Sequence, residues 1–311
     1  MQTKNKDFFA YLLTCLIPIK KYRKAVRGIL LLGVKKYFYI KKSDKTTRFK
    51  NTLAIAAIMK NEGPYLKEWL DYHILVGVDK FYLYDNESTD DTVDVLKPYI
   101  EQGIVEYTFF PGSVRQIPAY NDCIAKHEKD VRWLAMIDLD EFLVPVQNKT
   151  LPEFLKTLPF FGQLIVTWVV YGSSYKQKKE PGLVMERFKR HTDKMWGVKS
   201  IVNPRLVVQI KNPHTHDVAG FTIDENGKKL GHLDQTHNPP TCNKIRINHY
   251  ATKSYEEMIE RCSQGDACVA NLQSSHKADA QKRFEKRDRN EIYDDIMDKY
   301  IDVLKGIKNE L

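Results

Sequence analysis

A chain of 311 residues with 42% hydrophobic and 11% aromatic content has enough apolar mass for one large or two modest domains, which excludes a wholly disordered protein. Its net charge of +9 is uneven: residues 1–50 hold fourteen Lys/Arg against Asp7 and Asp44, a local +12 that leaves −3 for the rest. Such a segment suits an anionic membrane surface or a nucleic acid, and five scattered cysteines without a CxxC pair exclude a zinc knuckle or disulfide framework and fit a reducing compartment.

At the start, Phe8 to Ile19 is mostly apolar but falls short of the ~20 residues a bilayer span needs, and Pro18 and Lys20-Lys21 interrupt it. No small-residue cleavage site follows. Residues 8–40 read as one or two basic amphipathic helices lying on a membrane or on the domain.

Organised α/β structure begins near residue 52. Leu53 to Met59 is an apolar run expected of a strand buried on both faces. Pro64 then opens a helix carrying Leu66, Trp69, Leu70 and His73 at helical spacing. Lys80 to Tyr84 is a second strand, ending in the polar loop Asp85-Asn86-Glu87-Ser88-Thr89-Asp90, whose last three residues read as caps of the next helix. That helix covers about 90–102 and stops at Gly103. Ile104 to Phe110 is a third strand, 116–128 a helix, and Trp133 to Ile137 a fourth strand running into Asp138-Leu139-Asp140-Glu141-Phe142. This alternation predicts an α/β fold with a doubly wound, mostly parallel sheet and helices on both faces, whose ligands bind outside the carboxyl ends of the strands. Beyond 150, strands are expected over 163–173, 200–210 and 241–250, with a loop-rich 211–240. A C-terminal helix from about 277 is expected to present Tyr293, Ile296, Met297, Tyr300 and Leu304 on one face.

The chemistry concentrates where strands end. In extended backbone, Asp138 and Asp140 share a face, and two adjacent carboxylates invite a hard divalent cation, Mn2+ or Mg2+, with positions left for phosphate oxygens. The cation would neutralise charge on a departing diphosphate. Asp85 is placed to accept from the N–H of a base such as uracil, and Asn61 and Glu62 face the same crevice. His249 is the first candidate among His214, His216, His232, His237 and His249 to complete the metal shell. A carboxylate base is needed to deprotonate an acceptor hydroxyl. Among Glu141, Glu186, Asp193 and Asp217, the choice falls on Glu186. Lys199 and Arg205 are phosphate candidates, and Trp168, Tyr171 and Trp196 can stack on sugar rings. No P-loop, GxGxxG or GxSxG is present, which sets NTPase, dinucleotide-binding and standard hydrolase readings behind.

These residues, taken in order, resemble glycosyltransferase family 92 within the family 2-like GT-A clan. The resemblance rests on Lys60-Asn61-Glu62, Glu68-Trp69, Tyr72-His73, Gly77-Val78-Asp79, Tyr84-Asp85-Asn86, Ser88 to Thr92 and Trp133 through Phe142. It continues in Lys199 to Val202, His249-Tyr250, Lys253-Ser254 and Glu256-Glu257. It implies a GT-A fold, a UDP-sugar donor, Mn2+ or Mg2+, inversion at the anomeric carbon and, in several members, galactose transfer. It also implies that Asp138 lies near donor ribose or metal-bound water and that Asp140 ligates the metal. No Glu-Asp base motif of the family is present. The expected layout is a basic segment 1–50, a catalytic domain 51–275 (nucleotide half 51–150, acceptor half 151–275) and a helical extension 276–311. The expected partners are a nucleotide-sugar, a glycan or lipid-linked acceptor and the inner face of the cell membrane, with no nucleic acid, in lipopolysaccharide or capsule synthesis. A metal-dependent nucleotidyltransferase and a non-catalytic glycan-binding relative are the alternatives.

Overall fold

The computed structural model describes residues 2–194, 197–231, 241–264 and 280–306. Three helices come first, α1 (Gln2–Thr14), α2 (Lys20–Leu32) and α3 (Val34–Ser43), where the sequence predicts one or two. Gly33, at φ +107°, separates the second from the third. Among the described residues no helix is long and apolar enough to cross a membrane.

The first half of the α/β body follows the expected alternation: β1 (Asn51–Met59), α4 (Gly63–Leu75), β2 (Lys80–Asp85), α5 (Thr92–Glu101), β3 (Val105–Phe109), α6 (Gln116–His127) and β4 (Val131–Met136). These four strands pair in parallel in the order β3-β2-β1-β4. The β1 run is apolar throughout because both its faces are covered. Leu53, Ile55, Ala57 and Met59 pack with Leu66, Trp69 and Leu70 of α4, while Ala54, Ala56 and Ile58 pack with Ala119, Tyr120 and Cys123 of α6.

The second half is mixed. It comprises β5 (Glu141–Pro145), α7 (Leu151–Thr157), β6 (Gln163–Val170), α8 (Val184–Arg187), β7 (Arg190–His191), β8 (Val198–Val202), β9 (Val207–Ile210), β10 (His216–Val218), β11 (Thr222–Ile223), β12 (Ile245–His249) and α9 (Tyr255–Gln264). The sheet continues from β4 through β8, β6 and β12 to β5, with β8 antiparallel to β4 and β6, and β12 parallel to β6 but antiparallel to β5. The α/β class and the parallel, helix-flanked half expected of a GT-A fold are present.

Two expectations are corrected. The strand predicted over 200–210 is two strands divided by a 3-10 turn at Pro204–Leu206, because proline removes a ladder donor. The C-terminal helix is likewise divided into Ala280–Arg287 and Asp298–Leu304. Between them Asp288 accepts from the backbone N–H of Ser173 (2.6 Å) and Asn290 from that of Ser174 (2.8 Å). Tyr293 consequently lies on the short strand β13 (Ile292–Tyr293), exposed and paired with β7.

Candidate active site

Strand β4 stops at Met136, and Leu139-Asp140 turns the chain back into β5, closed by a Glu141 N–H to Asp138 carbonyl bond of 3.1 Å. The extended geometry expected to align Asp138 with Asp140 therefore ends before both of them. The turn sends the two carboxylates to different partners.

Asp138 is met from two sides. Gln116, in the first turn of α6, donates its side-chain amide to Oδ1 at 2.8 Å. Lys199 brings its Nζ to 2.9 Å from Oδ2 and 4.0 Å from a Glu141 oxygen. The antiparallel register of β8 on β4, Met136 opposite Ser200, puts Lys199 beside the turn. Lys199 is 0% exposed. Burial would discharge it, yet Asp138 and Glu141 hold it protonated and above the ordinary lysine value. Its ammonium thus faces these two acids in the interior, not the phosphate expected from sequence. Glu141 is equally buried. Burial, aided by Asp138 and Asp140 and opposed by Lys199, raises its carboxyl well above the usual range.

Asp140, 4% exposed, belongs to a second group. The antiparallel pairing of β12 with β5 sets His249 opposite Glu141, and the Tyr250 N–H donates to the Asp140 carbonyl at 2.8 Å. His249 Nε2 stands 3.5 Å from Asp140 Oδ2, and its ring lies 4.5 Å from that of Trp168. Arg261, from α9, forms an ion pair with the same Oδ2. Burial favours the neutral acid, but Arg261, His249 and Lys253 outweigh it and hold Asp140 well below the ordinary carboxylate range.

Helix α9 is fixed by a buried carboxylate of its own. Glu257 accepts both terminal nitrogens of Arg187 (3.0 and 2.9 Å), the Tyr65 hydroxyl (2.9 Å) and the Ser254 hydroxyl (2.6 Å). Just before the helix, Lys253 adopts φ +52°, with its ammonium 3.7 Å above the Tyr65 ring.

The first two strand ends are stitched to each other. Asn61 donates its backbone N–H to Ser88 Oγ (2.9 Å) and accepts from the Thr89 N–H (2.7 Å). Asp90 holds the first N–H of α4, that of Gly63 (3.0 Å), where a Cβ would sit 1.9 Å from an Asp91 oxygen. Ser88 and Asp90 thus tie loop to loop, a role beyond the helix-capping expected. Asp85 accepts from the Ser88 N–H (3.0 Å) and the Tyr107 hydroxyl (2.8 Å). Glu62 lies among Lys253, Arg261 and Asp140; burial raises its carboxyl, and the two cations oppose that.

The structure thus brings Asp138, Asp140, Lys199 and His249 into one neighbourhood, with Glu62 in its electrostatic reach. Glu186 makes its ion pair elsewhere, with Lys305 (2.6 Å). Trp196, His232 and His237 lie outside the described residues. Arg205 pairs with Asp44, under the N-terminal helices. Sequence reasoning missed Gln116 and Arg261, each set by tertiary contact without a motif of its own, and named Lys253 within the Lys253-Ser254 pair without giving it a role at the site. It also missed β5 and α7, although Thr150-Leu151-Pro152-Glu153 spells the capping box that starts α7.

Among the described residues no three His, Cys, Asp or Glu side chains already form a metal cage. The donor set nevertheless suits a hard or borderline cation: Asp140 Oδ1 and His249 Nδ1 are buried without a hydrogen-bond partner, and Asp140 carries its charge.

The model of "Glycosyltransferase family 92" matches residues 55–295. A glycosyltransferase family 92 protein of Oryza sativa subsp. japonica is 25% identical over 218 residues, 68% of this chain and 35% of that protein. The beta-1,4-galactosyltransferase galt-1 of Caenorhabditis elegans is 23% identical over 244 residues, 70% of this chain and 52% of that protein. The match therefore spans about a third to a half of these relatives. Among solved structures, S. aureus TarS 1-349 superposes at a TM-score of 0.37 with 11% identity, covering 76% of this chain and 71% of that one.

Proposed function

We propose, from the premise that the chain belongs to glycosyltransferase family 92, that it is an inverting enzyme moving a sugar from a UDP-sugar to a glycan or glycolipid hydroxyl. Membership makes it a glycosyltransferase; the donor, the acceptor and the metal are our reading. The acceptor oxygen bonds the anomeric carbon as the bond to UDP breaks, and the hydroxyl proton passes to a carboxylate of the site. Galactose is the favoured sugar, since the matched C. elegans protein is named a galactosyltransferase.

The observation that carries the metal reading is Asp140: charged, buried, with its Oδ1 left without a hydrogen-bond partner while His249 stands 3.5 Å from its Oδ2. Asp140 and His249 would hold Mn2+ or Mg2+, which supplies charge neutralisation for the departing diphosphate. Asp138, whose side chain is 36% exposed, would face the donor. Lys199 keeps Asp138 and Glu141 from repelling each other. Asp85 and the loop stitched to Asn61 and Glu62 would receive the nucleotide.

The exposed apolar side chains of α1 (Phe8, Phe9, Leu12 and Leu13), with Leu16 just after it, support a peripheral position on the inner face of the cell membrane beside the basic segment. There the acceptor would be a lipid-linked glycan of lipopolysaccharide or capsule.

The test is Asp140→Asn, assayed for UDP release from a panel of UDP-sugars with and without Mn2+. We expect a loss of about a hundredfold or more, with the fold intact by circular dichroism. Wild-type turnover in the variant would end the metal reading. A thermal-shift screen of UDP-, GDP- and CMP-sugars names the nucleotide.

A further inference from the structure

A cavity of about 1140 Å3 opens between helices α1 and α2 and strands β9 and β10, and none of the aspartate-turn residues lines it. Its walls carry Lys21, Lys24 and Arg27 from α2 and Lys211 after β9, with the acids Asp7 and Asp217 at the same surface; Gln163 and His216 also line it. The wall is fixed in place: at Gly28 a Cβ would lie 2.1 Å from the Val218 carbonyl oxygen, so α2 rests its backbone directly on β10.

The cations outnumber the acids. Lys211 is paired with Asp217, and Arg27 donates to Thr14 Oγ1 at 3.1 Å. Lys24 forms no ion pair among the described residues; burial, then the charges of Lys20 and Lys211, lowers its pKa, with Asp217 opposing. His216 is 7% exposed, and neither ring nitrogen has a hydrogen-bond partner in the described structure. Burial, then Lys199 and His214, lowers it to about 4, so at neutral pH it is uncharged and offers one N–H. A pocket with unspent positive charge and a buried, unmatched donor is built for an anion.

The same cavity borders an apolar surface. Tyr11 of α1 lines it, and on that helix Phe8, Phe9, Leu12 and Leu13 stand exposed, with Leu16 just beyond at 89%. An anionic group joined to a hydrocarbon chain matches both features; a free anion matches only the first.

We propose that this cavity receives the phosphate of an anionic lipid, with the acyl chains lying along α1. The inference rests on the membrane reading above and adds to it a specific headgroup site.

The test measures co-sedimentation of the full chain with phosphatidylcholine vesicles and with vesicles containing phosphatidylglycerol, for wild type, Lys24→Gln, His216→Leu and His216→Asn. Wild type is expected to bind only the anionic vesicles. Lys24→Gln is expected to bind about fivefold more weakly, the worth of one basic residue near an anionic surface. His216→Leu, which removes the donor without changing charge, should weaken binding by a similar factor. His216→Asn, which keeps a donor, should restore it, and thermal unfolding of each variant checks the fold. If Lys24→Gln weakens binding and His216→Leu does not, the attraction is diffuse charge; the headgroup site is then wrong while the membrane reading stands. If wild type ignores vesicles but glycerol phosphate raises its unfolding temperature, the site takes a soluble phosphate and the lipid source is wrong. If neither binds, both readings fall.

Discussion

Replacing Arg261 by Gln removes the side chain that neutralises Asp140. Breaking a fully buried ion pair costs about 3–5 kcal/mol, because the remaining charge is stranded. Here the carboxylate is buried but the Arg261 side chain is 47% exposed, so water screens the pair. His249 and Lys253 also stay beside Asp140, and the cost falls to about 1–2 kcal/mol. At roughly 2–4 °C per kcal/mol for a large domain, the variant should unfold about 2–8 °C below wild type without metal. Saturating Mn2+ changes the comparison, because a cation on Asp140 does the neutralising in either protein. The gap should then close to about 1 °C or less, and the Mn2+ needed for half the shift should fall about tenfold in the variant, in which no guanidinium competes. Calorimetry of both proteins over a Mn2+ titration reads both numbers. An equal gap with and without Mn2+, or no Mn2+ stabilisation of either protein, would refute the idea that Arg261 and a metal share this carboxylate.

Lys199→Met leaves the buried Glu141 beside Asp138, whose side chain is 36% exposed and therefore partly screened by water, so a loss of about 2–3 kcal/mol is expected by urea denaturation; a loss under about 1 kcal/mol would show that the lysine is incidental. Glu257 gives a pH signature. Burial favours its neutral form, but Arg187 and Ser254 hold its pKa down at about 2. Its stabilising contribution is therefore complete above the ordinary Glu value of about 4.5 and is lost as pH falls through about 2, so wild type should lose about 2–3 kcal/mol more than Glu257→Gln across that window. Parallel acid-unfolding curves would contradict it. Glu186→Gln should keep turnover within about threefold, since its carboxylate is committed to Lys305; a collapse of kcat with KM retained would instead make Glu186 the base.

The parts of the fold that were legible are those where local pattern and burial agree. The run Leu53 to Met59 is apolar because β1 is covered on both faces, and Pro64 marks the first turn of α4 because a helix leaves that N–H unbonded anyway. Patterns failed where distant residues decide. Nothing local to Asp138-Leu139-Asp140 says that the strand ends at Met136 and the chain turns there, since that depends on β12 and β8 arriving on either side. The periodicity of Ile296, Met297, Tyr300 and Leu304 is real, yet Asp288 and Asn290 are spent on the backbone of Ser173 and Ser174, which ends the preceding helix. Arg261 sits 121 residues from Asp140 and reaches it only because Glu257 docks its helix on Arg187 and Tyr65.

That docking decides which charge can give way when a ligand arrives. The turn balances acid with base one for one, Asp138 with Lys199 and Asp140 with Arg261. A dication entering here must displace one of the two bases or repel both. Lys199 cannot leave: it is wholly buried in the middle of a strand paired on both edges, and moving it would strand Glu141 as well. Arg261 can, because its side chain is half exposed near the C-terminal end of α9 while Glu257, four residues earlier, keeps the helix anchored. The guanidinium released from Asp140 would still lie within reach of the same site, where a diphosphate bound to the metal offers it the charge it gave up. Loss of Glu257 should therefore mimic loss of Arg261 in Mn2+ response, although the two side chains never touch the same atom.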